Sequence, residues 1–335
     1  MDMRAIAKIA GVSSATVSRV ISGSSLVRTA TAERVRRVVD EWKYVPNGSA
    51  STLKYGRSNS YGLIIPDILN PFFPEFIGKF EGILVAKSQD MLLATTDLQA
   101  ARMQHTIRRM LVRQVDGIAL LAAEIETEPI ETLIRNRVPL VTLDRRLVGR
   151  GLSDVSINYL RGMIQAVEHL SQLRHKKIGY IGGSAGLTIS DHRTQAFVKA
   201  VERAGLKVEP KFLFVGNYRV SGGETAMAEL LAMKDRPTAI IAANDVTAIG
   251  AMRVLHREGF SVPHDFSLVG FDNIELSAIV SPPLTTIQLP RHELAKMFVT
   301  ALECFSTDPD AAGKRYTVKT SLVVRSSTGP SPRRS

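Results

Sequence analysis

The chain has 335 residues, more than the roughly 250 to 300 at which one hydrophobic core stops growing, so two or three packed units are expected. Its hydrophobic fraction of 44% and charged fraction of 22% are ordinary for a globular protein and exclude a collagenous or wholly disordered chain. The net charge is +11, and residues 1–60 contain ten Lys or Arg and four Asp or Glu, a net +6. This excess predicts a basic, N-terminal surface for a polyanion such as nucleic acid, or else a solvated basic face without a partner.

The single cysteine, Cys304, can form neither an intrachain disulfide nor a zinc cluster, which suits a reducing compartment. We expect it to be buried in a C-terminal helix. No apolar run approaches 18 residues, and the first residues contain no extended apolar segment. The sequence therefore predicts a cytoplasmic protein without a membrane span, a metal site or a cofactor.

Apolar residues recur at helical spacing over residues 4–21, but Gly11 interrupts the series. This pattern predicts two short helices joined by a tight turn, with Ser13 or Ser14 as the cap of the second helix. A third helix is predicted around residues 30–42, and the three together make a small bundle. The face of the third helix that is predicted to be buried consists of Val35, Val38, Val39 and Trp42.

The second helix has small or hydrogen-bonding side chains on its exposed face. A two-helix hairpin without a DNA role would have the same apolar spacing, so this face favours the helix-turn-helix interpretation. Arg19 has the geometry to bind guanine O6 and N7, and hydroxyl groups can bind phosphates. The candidate contact residues on this helix are Ser14, Ala15, Thr16, Ser18 and Arg19.

Residues 44–60 contain Pro46, Gly48 and Gly56 and read as a linker. Beyond the linker, short apolar runs alternate with longer amphipathic segments, which is typical of strand-helix units on a parallel sheet. The number of runs is too large for one ordinary sheet, so we expect two α/β subdomains with a cleft between them. The predicted strands are 61–65, 91–95, 117–121, 140–143, 155–157, 178–181, 212–215, 239–242, 267–270 and 322–324.

The segment Ile6–Ile21, followed by Tyr44-Val-Pro-Asn47 and Leu53, resembles the LacI/GalR (lactose-repressor) family. The resemblance extends over nearly the whole chain, because further motifs follow in order. They are Tyr61-Gly-Leu-Ile-Ile-Pro-Asp67, Asn70-Pro-Phe-Phe73, Val115-Asp-Gly-Ile118, Val138-Pro-Leu-Val141, Asp144-Arg145, Ile178-Gly-Tyr-Ile-Gly-Gly183, Ala243-Asn-Asp245, Gly270-Phe-Asp-Asn273 and Val324-Arg-Ser-Ser-Thr328.

The resemblance implies a transcriptional regulator, most simply a repressor, that is a homodimer on a near-palindromic operator and not an enzyme. It implies an N-terminal all-α helix-turn-helix DNA-binding domain and an α/β periplasmic-binding-protein-like core of two doubly wound parallel-sheet subdomains. The effector would be a sugar, sugar acid or sugar phosphate. The implied boundaries are 1–44 for the DNA-binding domain, 45–59 for the hinge helix or linker, 60–328 for the core (N-subdomain 60–158 and 288–317, C-subdomain 159–287 and 318–328) and 329–335 for a disordered tail.

The resemblance also implies roles for single residues in DNA binding. Ser14, Ala15 and Arg19 match base-reading positions, Thr16, Ser18 and Asn47 match positions that contact the DNA backbone, and Leu53 matches a leucine that wedges into the minor groove. The hinge departs from the family pattern at Gly48, Ser49 and Ser51, which are poor helix formers. We expect a weak hinge helix, which puts the strength of the Leu53 wedge in doubt.

In the core, the resemblance implies that two neighbouring aromatic residues, a further tyrosine and a set of polar side chains bind the effector. Hydroxyl-rich ligands need paired donors and acceptors, and the guanidinium of Arg193 suits vicinal hydroxyls or a carboxylate. Around Leu187, Thr188 and Ile189, where some members of the family place polar contacts, we expect a sector that is either more apolar or used differently. The candidate ligand-binding residues are Phe72, Phe73, Asp144, Arg193, Tyr218, Asn244 and Asp272.

Two other classes of protein share such a core. A cytosolic enzyme would need catalytic motifs, but the glycine-rich segment 182–186 has neither the order of a phosphate-binding loop nor a nucleophile elbow, and the seven histidines are scattered. A solute-binding protein of a transporter would need an export signal and would have no use for a helix-turn-helix. The sequence therefore favours the regulator over both alternatives.

Overall fold

The computed structural model describes residues 2–21, 24–44, 57–97, 99–121 and 127–332. The chain forms two compact units, Met1–Ser58 and Asn59–Ser335. The predicted hinge contacts Asn47 and Leu53, together with the glycine and serines of the hinge, lie outside the described residues. Within those residues, no helix is long and apolar enough to cross a membrane.

The first unit contains three helices, α1 (Met3–Ala10), α2 (Ser14–Ile21) and α3 (Thr29–Glu41). Helix α1 ends at Gly11, whose φ of 63° is in the left-handed region that glycine adopts without strain, and whose N–H donates to the carbonyls of the last turn. Ser13 is the cap of α2, because its Oγ accepts from the N–H of Thr16 at 3.2 Å. The predicted pair of short helices joined at a tight turn is confirmed.

The small core of this unit comes from all three helices, since Ile6, Val17 and Val35 are each 0% exposed. Trp42, which the helical pattern placed on the buried face of α3, is 54% exposed. That prediction was wrong, because α3 ends at Glu41 and Trp42 follows the last helical turn.

The second unit contains two six-stranded sheets. We call the part around the first sheet the N lobe and the part around the second sheet the C lobe. The N-lobe sheet has the order β11-β5-β4-β3-β1-β2, and all of its neighbours are parallel. Its strands are β1 (Ser60–Ile65), β2 (Asp90–Thr95), β3 (Gly117–Leu120), β4 (Leu140–Leu143), β5 (Leu152–Asn158) and β11 (Arg315–Lys319).

The C-lobe sheet has the order β12-β10-β9-β8-β6-β7, and only the edge strand β12 is antiparallel to its neighbour. The near-continuous apolar runs of the central strands are explained by burial on both faces. Its strands are β6 (Ile178–Ile181), β7 (Leu213–Phe214), β8 (Ala239–Ala242), β9 (Ser267–Asp272), β10 (Thr285–Gln288) and β12 (Ser321–Val323).

Helices cover both sheets, as expected of a doubly wound fold. In the N lobe, the rings of Phe76, Phe80 and Phe298 join α4 to α12, with centroids about 6 Å apart. The helices of the second unit are α4 (Phe72–Val85), α5 (Ala100–Val112), α6 (Thr127–Arg135), α7 (Tyr159–Gln172), α8 (Thr188–Arg203), α9 (Val220–Ala232), α10 (Asp245–Arg257), α11 (Leu276–Ile279) and α12 (Arg291–Glu303), with a 3-10 turn at Pro210–Phe212.

The chain crosses between the lobes three times, near residues 158, 289 and 320. Thr320 joins two of the crossings, because its Oγ1 donates to the carbonyl of Asn158 at 2.7 Å and accepts from the N–H of Gly162 at 3.0 Å. The second and third crossings lie one and two residues beyond the predicted boundaries, since β10 ends at Gln288 and β11 ends at Lys319.

Three further expectations differ from the structure. Strands β10 and β11 were not predicted. Cys304, expected to be buried, is exposed at the C-terminal end of α12. The tail was expected to be disordered from residue 329, yet the carbonyl of Gly329 lies 3.0 Å from the ring of His175 and Ser331 N–H donates to the carbonyl of Leu173. These contacts fix residues 329–332 on the C lobe.

Candidate functional site

Helix α2 presents a polar face opposite its buried one. Val17 and Val20 pack into the three-helix core, while Ala15 and Arg19 are exposed on the far side. The predicted neighbours Ser14, Thr16 and Ser18 are half-buried, and the Oγ1 of Thr16 lies 3.0 Å from Ser13 Oγ. A helix held by its apolar side with small and hydrogen-bonding groups outward has the shape required to lie in a DNA major groove.

A cavity of about 110 Å³ lies between the lobes, at the C-terminal ends of the parallel strands. Ligands bind at this edge of open α/β sheets because loops there diverge to either side. We refer to this cavity as the cleft. It is lined by Pro66, Asp67, Asn70, Phe72, Phe73, Leu121, Leu143, Ile157, Ser184, Leu187, Ile189, Arg193, Asn217, Tyr218, Arg219, Asp272 and Leu289.

The loop after β1 positions the two aromatic residues of the N lobe. Asn70 Oδ1 accepts from the N–H of Phe72 at 3.1 Å, and its carbonyl accepts from the N–H of Phe73, so Asn70 fixes the first turn of α4. The two rings meet edge to face with centroids 5.3 Å apart. Phe72 is buried against the core and Phe73 is half-buried, which leaves Phe73 as the better stacking surface for a bound ring.

Arg193 of α8 and Asp272 at the end of β9 form a buried ion pair in the wall of the cleft. Arg193 Nη2 lies 3.1 Å from Asp272 Oδ1, and both side chains are 5% exposed. The guanidinium also donates to the carbonyl of Ala243 and lies 4.2 Å from the centroid of the Phe271 ring. Its Nε is buried and has no hydrogen-bond partner among the described residues.

The polar wall of the cleft also contains backbone strain. Asp272 has a φ of 104° and Tyr218 a φ of 60°, values in the left-handed region that non-glycine residues rarely adopt. Such strain is typical of ligand clamps, where the surrounding structure enforces it. Asp272 is held in this conformation by Arg291, whose Nη1 donates to the Asp272 carbonyl at 2.8 Å.

The glycine-rich segment after β6 makes room for Tyr218. A Cβ at Gly183 would overlap the Tyr218 ring, so glycine lets the ring lie against the backbone. The Tyr218 hydroxyl lies 3.0 Å from Ser190 Oγ, and its carbonyl accepts from Asn244 Nδ2 at 3.0 Å. The glycine-rich segment therefore packs against an aromatic side chain.

One ion pair and one hydrogen bond between side chains connect the lobes across the cleft. At its mouth, Asp67 lies 2.8 Å from Arg219. Further inside, Asp144 Oδ2 lies 2.8 Å from His192 Nδ1, and Asp144 Oδ1 accepts from the N–H of Ile157 at 3.3 Å. With both contacts formed, the two lobes enclose the cleft.

Five of the seven predicted ligand contacts line the cleft together: Phe72, Phe73, Arg193, Tyr218 and Asp272. The other two, Asp144 and Asn244, are not among the residues that line the cleft. Asp144 lies in an adjoining recess and is paired with His192. Asn244 is 0% exposed and caps α10, with Oδ1 accepting from the N–H of Thr247, so its amide is already used within the protein.

Sequence reasoning missed Asp67, His192, Arg219 and Arg291, which connect the lobes or support the wall. Each is a charged or polar side chain whose partner lies far along the chain, as in Asp67–Arg219. Only Asp67, which directly follows a strand and a proline, had a local signal of a strand-end position. The apolar sector expected around Leu187 and Ile189 is present in the cleft wall.

Burial dominates the electrostatics of two carboxyl groups, those of Asp272 and Asp144. It raises the pKa of Asp272 to about 6, although the Arg193 guanidinium favours the charged form. Burial also raises the pKa of Asp144 above its ordinary value, against the opposing effect of the hydrogen bond to His192. At neutral pH Asp272 is therefore mainly a carboxylate that neutralises Arg193.

A helix-turn-helix unit followed by two lobes around a ligand-sized cleft defines a DNA-binding regulator that responds to a small molecule. Residues 2–47 match the family model of bacterial regulatory proteins, lacI family, and residues 167–328 match the periplasmic binding protein-like domain. The chain belongs to the LacI family. It is a DNA-binding transcriptional regulator, not an enzyme, and the predicted family and fold class are confirmed.

Relatives match the chain over almost its full length. It is 31% identical to the ribose operon repressor of Haemophilus influenzae over 97% of this chain and 98% of the relative. It is 32% identical to the transcriptional repressor CytR of Escherichia coli K12, covering 98% and 97%. The lac repressor dimer bound to operator and the anti-inducer ONPF matches with a TM-score of 0.86, 25% identity and coverage of 98% and 99%. A LacI-family regulator from Enterococcus faecium with bound ribose matches with a TM-score of 0.72, 28% identity and coverage of 81% and 99%.

Proposed function

We propose that this chain is a cytoplasmic repressor that binds a near-palindromic operator as a homodimer, and that a small sugar-like effector in the cleft changes its operator affinity. The observation that carries the effector part is the buried Arg193–Asp272 pair on a strained turn in the cleft wall. A relative with bound ribose and a lac repressor dimer on operator support the sugar class and the dimer.

The DNA-reading surface is the exposed face of α2. Ser14, Ala15 and Arg19 contact base edges there, Thr16, Ser18 and Asn47 contact the backbone, and Leu53 inserts into the minor groove. The exposure of Ala15 and Arg19 opposite the buried Val17 supports this assignment.

An Arg19→Ala variant tests it by fluorescence anisotropy on a set of operators with single base changes. Loss of one bidentate guanine contact relaxes discrimination at one base pair by about 1–3 kcal/mol. Equal weakening on every sequence would instead make Arg19 a phosphate contact.

In the cleft, Phe72, Phe73, Arg193, Tyr218 and Asp272 contact the effector directly. The two other candidate residues, Asp144 and Asn244, act on the effector through neighbouring groups. Asp144 acts through His192, its partner across the lobes, and Asn244 acts through the Tyr218 carbonyl that it holds.

Coupling follows from the position of the cleft between the lobes. A ligand that touches both lobes binds the closed arrangement more tightly than an open one, and only such a difference in affinity can shift the DNA-binding equilibrium. Coupling between sites of this kind is typically about 1–3 kcal/mol. The segment 45–59 follows the three-helix bundle and precedes the lobes in the sequence, and it is the element through which the lobes act on operator binding.

Operator binding by anisotropy, with and without effector, tests the whole scheme. The full chain binds operator and responds to effector, whereas a chain beginning at Ser58 loses specific operator binding and keeps the ligand. If the shortened protein still binds operator specifically, the DNA-binding assignment fails.

A further inference from the structure

Part of the N-lobe side of the cleft is hydrocarbon, and the two polar residues that also line it from this lobe, Asp67 and Asn70, are already bonded to Arg219 and to the N–H of Phe72. Strand ends and the crossing after β10 contribute Leu121, Leu143, Ile157 and Leu289. These side chains are between 1% and 8% exposed and carry no group that can bond a hydroxyl. We call these four residues the apolar wall.

A ligand hydroxyl that faces the apolar wall would lose its water without gaining a partner. Burying a hydroxyl unpaired is unfavourable, whereas burying a methyl or ring C–H is favourable. The wall therefore selects ligands whose corresponding edge lacks hydroxyl groups.

The opposite side of the cleft selects against charge. The Arg193 guanidinium is already neutralised by Asp272 at 3.1 Å, and the two side chains are almost completely buried. An anionic ligand would lie beside the Asp272 carboxylate and be repelled by it. An uncharged vicinal diol fits, because one hydroxyl can accept from the guanidinium while the other donates to the carboxylate.

The mouth of the cleft also supplies no charge that would offset the repulsion between Asp272 and an anionic ligand. Asp67 and Arg219 lie there, but they form an ion pair with each other at 2.8 Å. The volume of about 110 Å³ limits the ligand further, because it is smaller than a cavity of about 150 Å³ that holds a single benzene ring. A one-ring ligand therefore needs the lobes to move slightly apart, and a disaccharide or a nucleoside needs a much larger separation.

We propose that the effector is an uncharged one-ring compound with a vicinal diol on one edge and a hydroxyl-free edge opposite it, as in a deoxysugar. The diol binds Arg193 and Asp272, the ring lies on Phe73, and the bare edge lies against the apolar wall. This inference rests on the proposed function. It excludes sugar acids and sugar phosphates and narrows the effector to an uncharged sugar with a hydroxyl-free edge.

Two series of sugars that differ only at C6 test the proposal on the full-length protein by calorimetry. The first is D-fucose, D-galactose, D-galacturonate and D-galactose 6-phosphate, and the second is L-rhamnose and L-mannose. In the series that binds, the 6-deoxy sugar binds about 10- to 100-fold more tightly than its parent hexose, and the charged derivatives bind more weakly still.

Equal or tighter binding by the parent or by a charged derivative overturns the proposal. Tighter binding by uridine or lactose, or no binding by any member of the two series, also overturns it. These outcomes concern only the ligand class. Failure of the proposed function would appear separately, as loss of specific operator binding by the unliganded full-length protein.

A substitution in the wall adds a test that depends on the same residues. Leu143→Gln places an amide where the methyl of the 6-deoxy sugar lies, so the preference for the 6-deoxy sugar over its parent falls at least about tenfold. Leu147→Gln is the matched control, because Leu147 is 43% exposed and lies outside the cleft. An unchanged preference in a folded Leu143→Gln protein contradicts the proposal.

Discussion

The two sides of the cleft contribute to binding in opposite ways. The N lobe supplies the apolar wall and the Phe72–Phe73 pair, which favour burial of an apolar ligand edge. The C lobe supplies a buried ion pair on strained backbone, whose hydrogen bonds accept few geometries. The comparison teaches that the two lobes select different parts of a ligand, an apolar edge on the N lobe and the positions of hydroxyl groups on the C lobe, so that closure is needed for both to act on one molecule.

The largest effect is expected from breaking the ion pair. Asp272→Ala leaves the Arg193 guanidinium buried and unpaired, which costs about 3–5 kcal/mol of unfolding free energy, and it abolishes the response to effector. Urea unfolding and anisotropy on operator measure the two effects, and operator binding without effector should stay close to that of the parent. Arg257→Ala is the control, since its pair with Glu258 is exposed and should be worth less than about 1 kcal/mol.

A double replacement sharpens this result. Arg193→Leu with Asp272→Leu removes both charges, so much of the stability should return, while the effector response stays lost. If the double variant responds to effector, the polar side of the cleft does not bind it.

Breaking the apolar wall should have the next largest effect. Leu143→Ala opens a void beside Leu121 and Ile157 and costs about 2–5 kcal/mol of unfolding free energy. It should weaken effector binding without changing which stereoisomers bind, because the C lobe sets the hydrogen bonds. The same truncation at the exposed Leu147 should change stability by no more than about 0.5 kcal/mol. A change in stereochemical preference in Leu143→Ala would contradict the division between the lobes.

The raised pKa of Asp272 predicts a smaller, pH-dependent difference. The carboxyl has a pKa of about 6 in the folded protein and about 3.9 when unfolded. Between these pH values the folded state holds a proton that the unfolded chain has released, so the contribution of Asp272 to the unfolding free energy falls as the pH rises from about 4 to about 6.

Urea unfolding at several pH values measures that slope. Asp272→Asn should remove its share of the slope, which separates Asp272 from the other buried carboxyls. Three charged groups face it, namely Arg193, Arg291 and Glu75, together with the carboxyl of Asp245, whose pKa burial raises well above its ordinary value. An identical slope in the variant and the parent would mean that Asp272 does not titrate in this range.

The smallest effect is expected at the mouth. Arg219→Ala removes the ion pair with Asp67, in which Arg219 is 47% exposed, so the loss is about 1 kcal/mol or less. Calorimetry with the tightest-binding sugar should show a change in Kd of no more than about fivefold, which is smaller at high salt. A change of a hundredfold would show that the mouth, and not the inner pair, fixes the ligand.

The sequence predicted those features that have a local pattern. Gly11 ends α1, Val17 and Val20 lie three residues apart on the buried face of α2, and the buried parallel strands appear as apolar runs. Strands β10 and β11 were missed because Thr285-Thr-Ile-Gln288 and Arg315-Tyr-Thr-Val-Lys319 are rich in polar residues. These segments are strands because they pair with neighbouring strands in the folded sheets. A short run of polar residues does not reveal such pairing in the sequence.

The cleft shows the same limit. Arg193 and Asp272 were identified by motif, and the structure brings them within 3.1 Å across 79 positions of chain. For Asn244 the motif gave the place but not the direction of the side chain, because an asparagine at the start of a helix can cap it or face a ligand. Such a choice depends on neighbours that are distant in the chain.

Cys304 provides a single site at which a fluorescent dye can be attached. It is the only cysteine in the sequence, it is exposed, and it lies at the end of α12 on the N lobe, with its Sγ 3.6 Å from the Tyr316 hydroxyl. A maleimide dye therefore attaches at one site in the native chain without mutagenesis. Paired with a second dye on a cysteine introduced in the C lobe, it converts lobe closure into an energy-transfer signal that can be followed in real time.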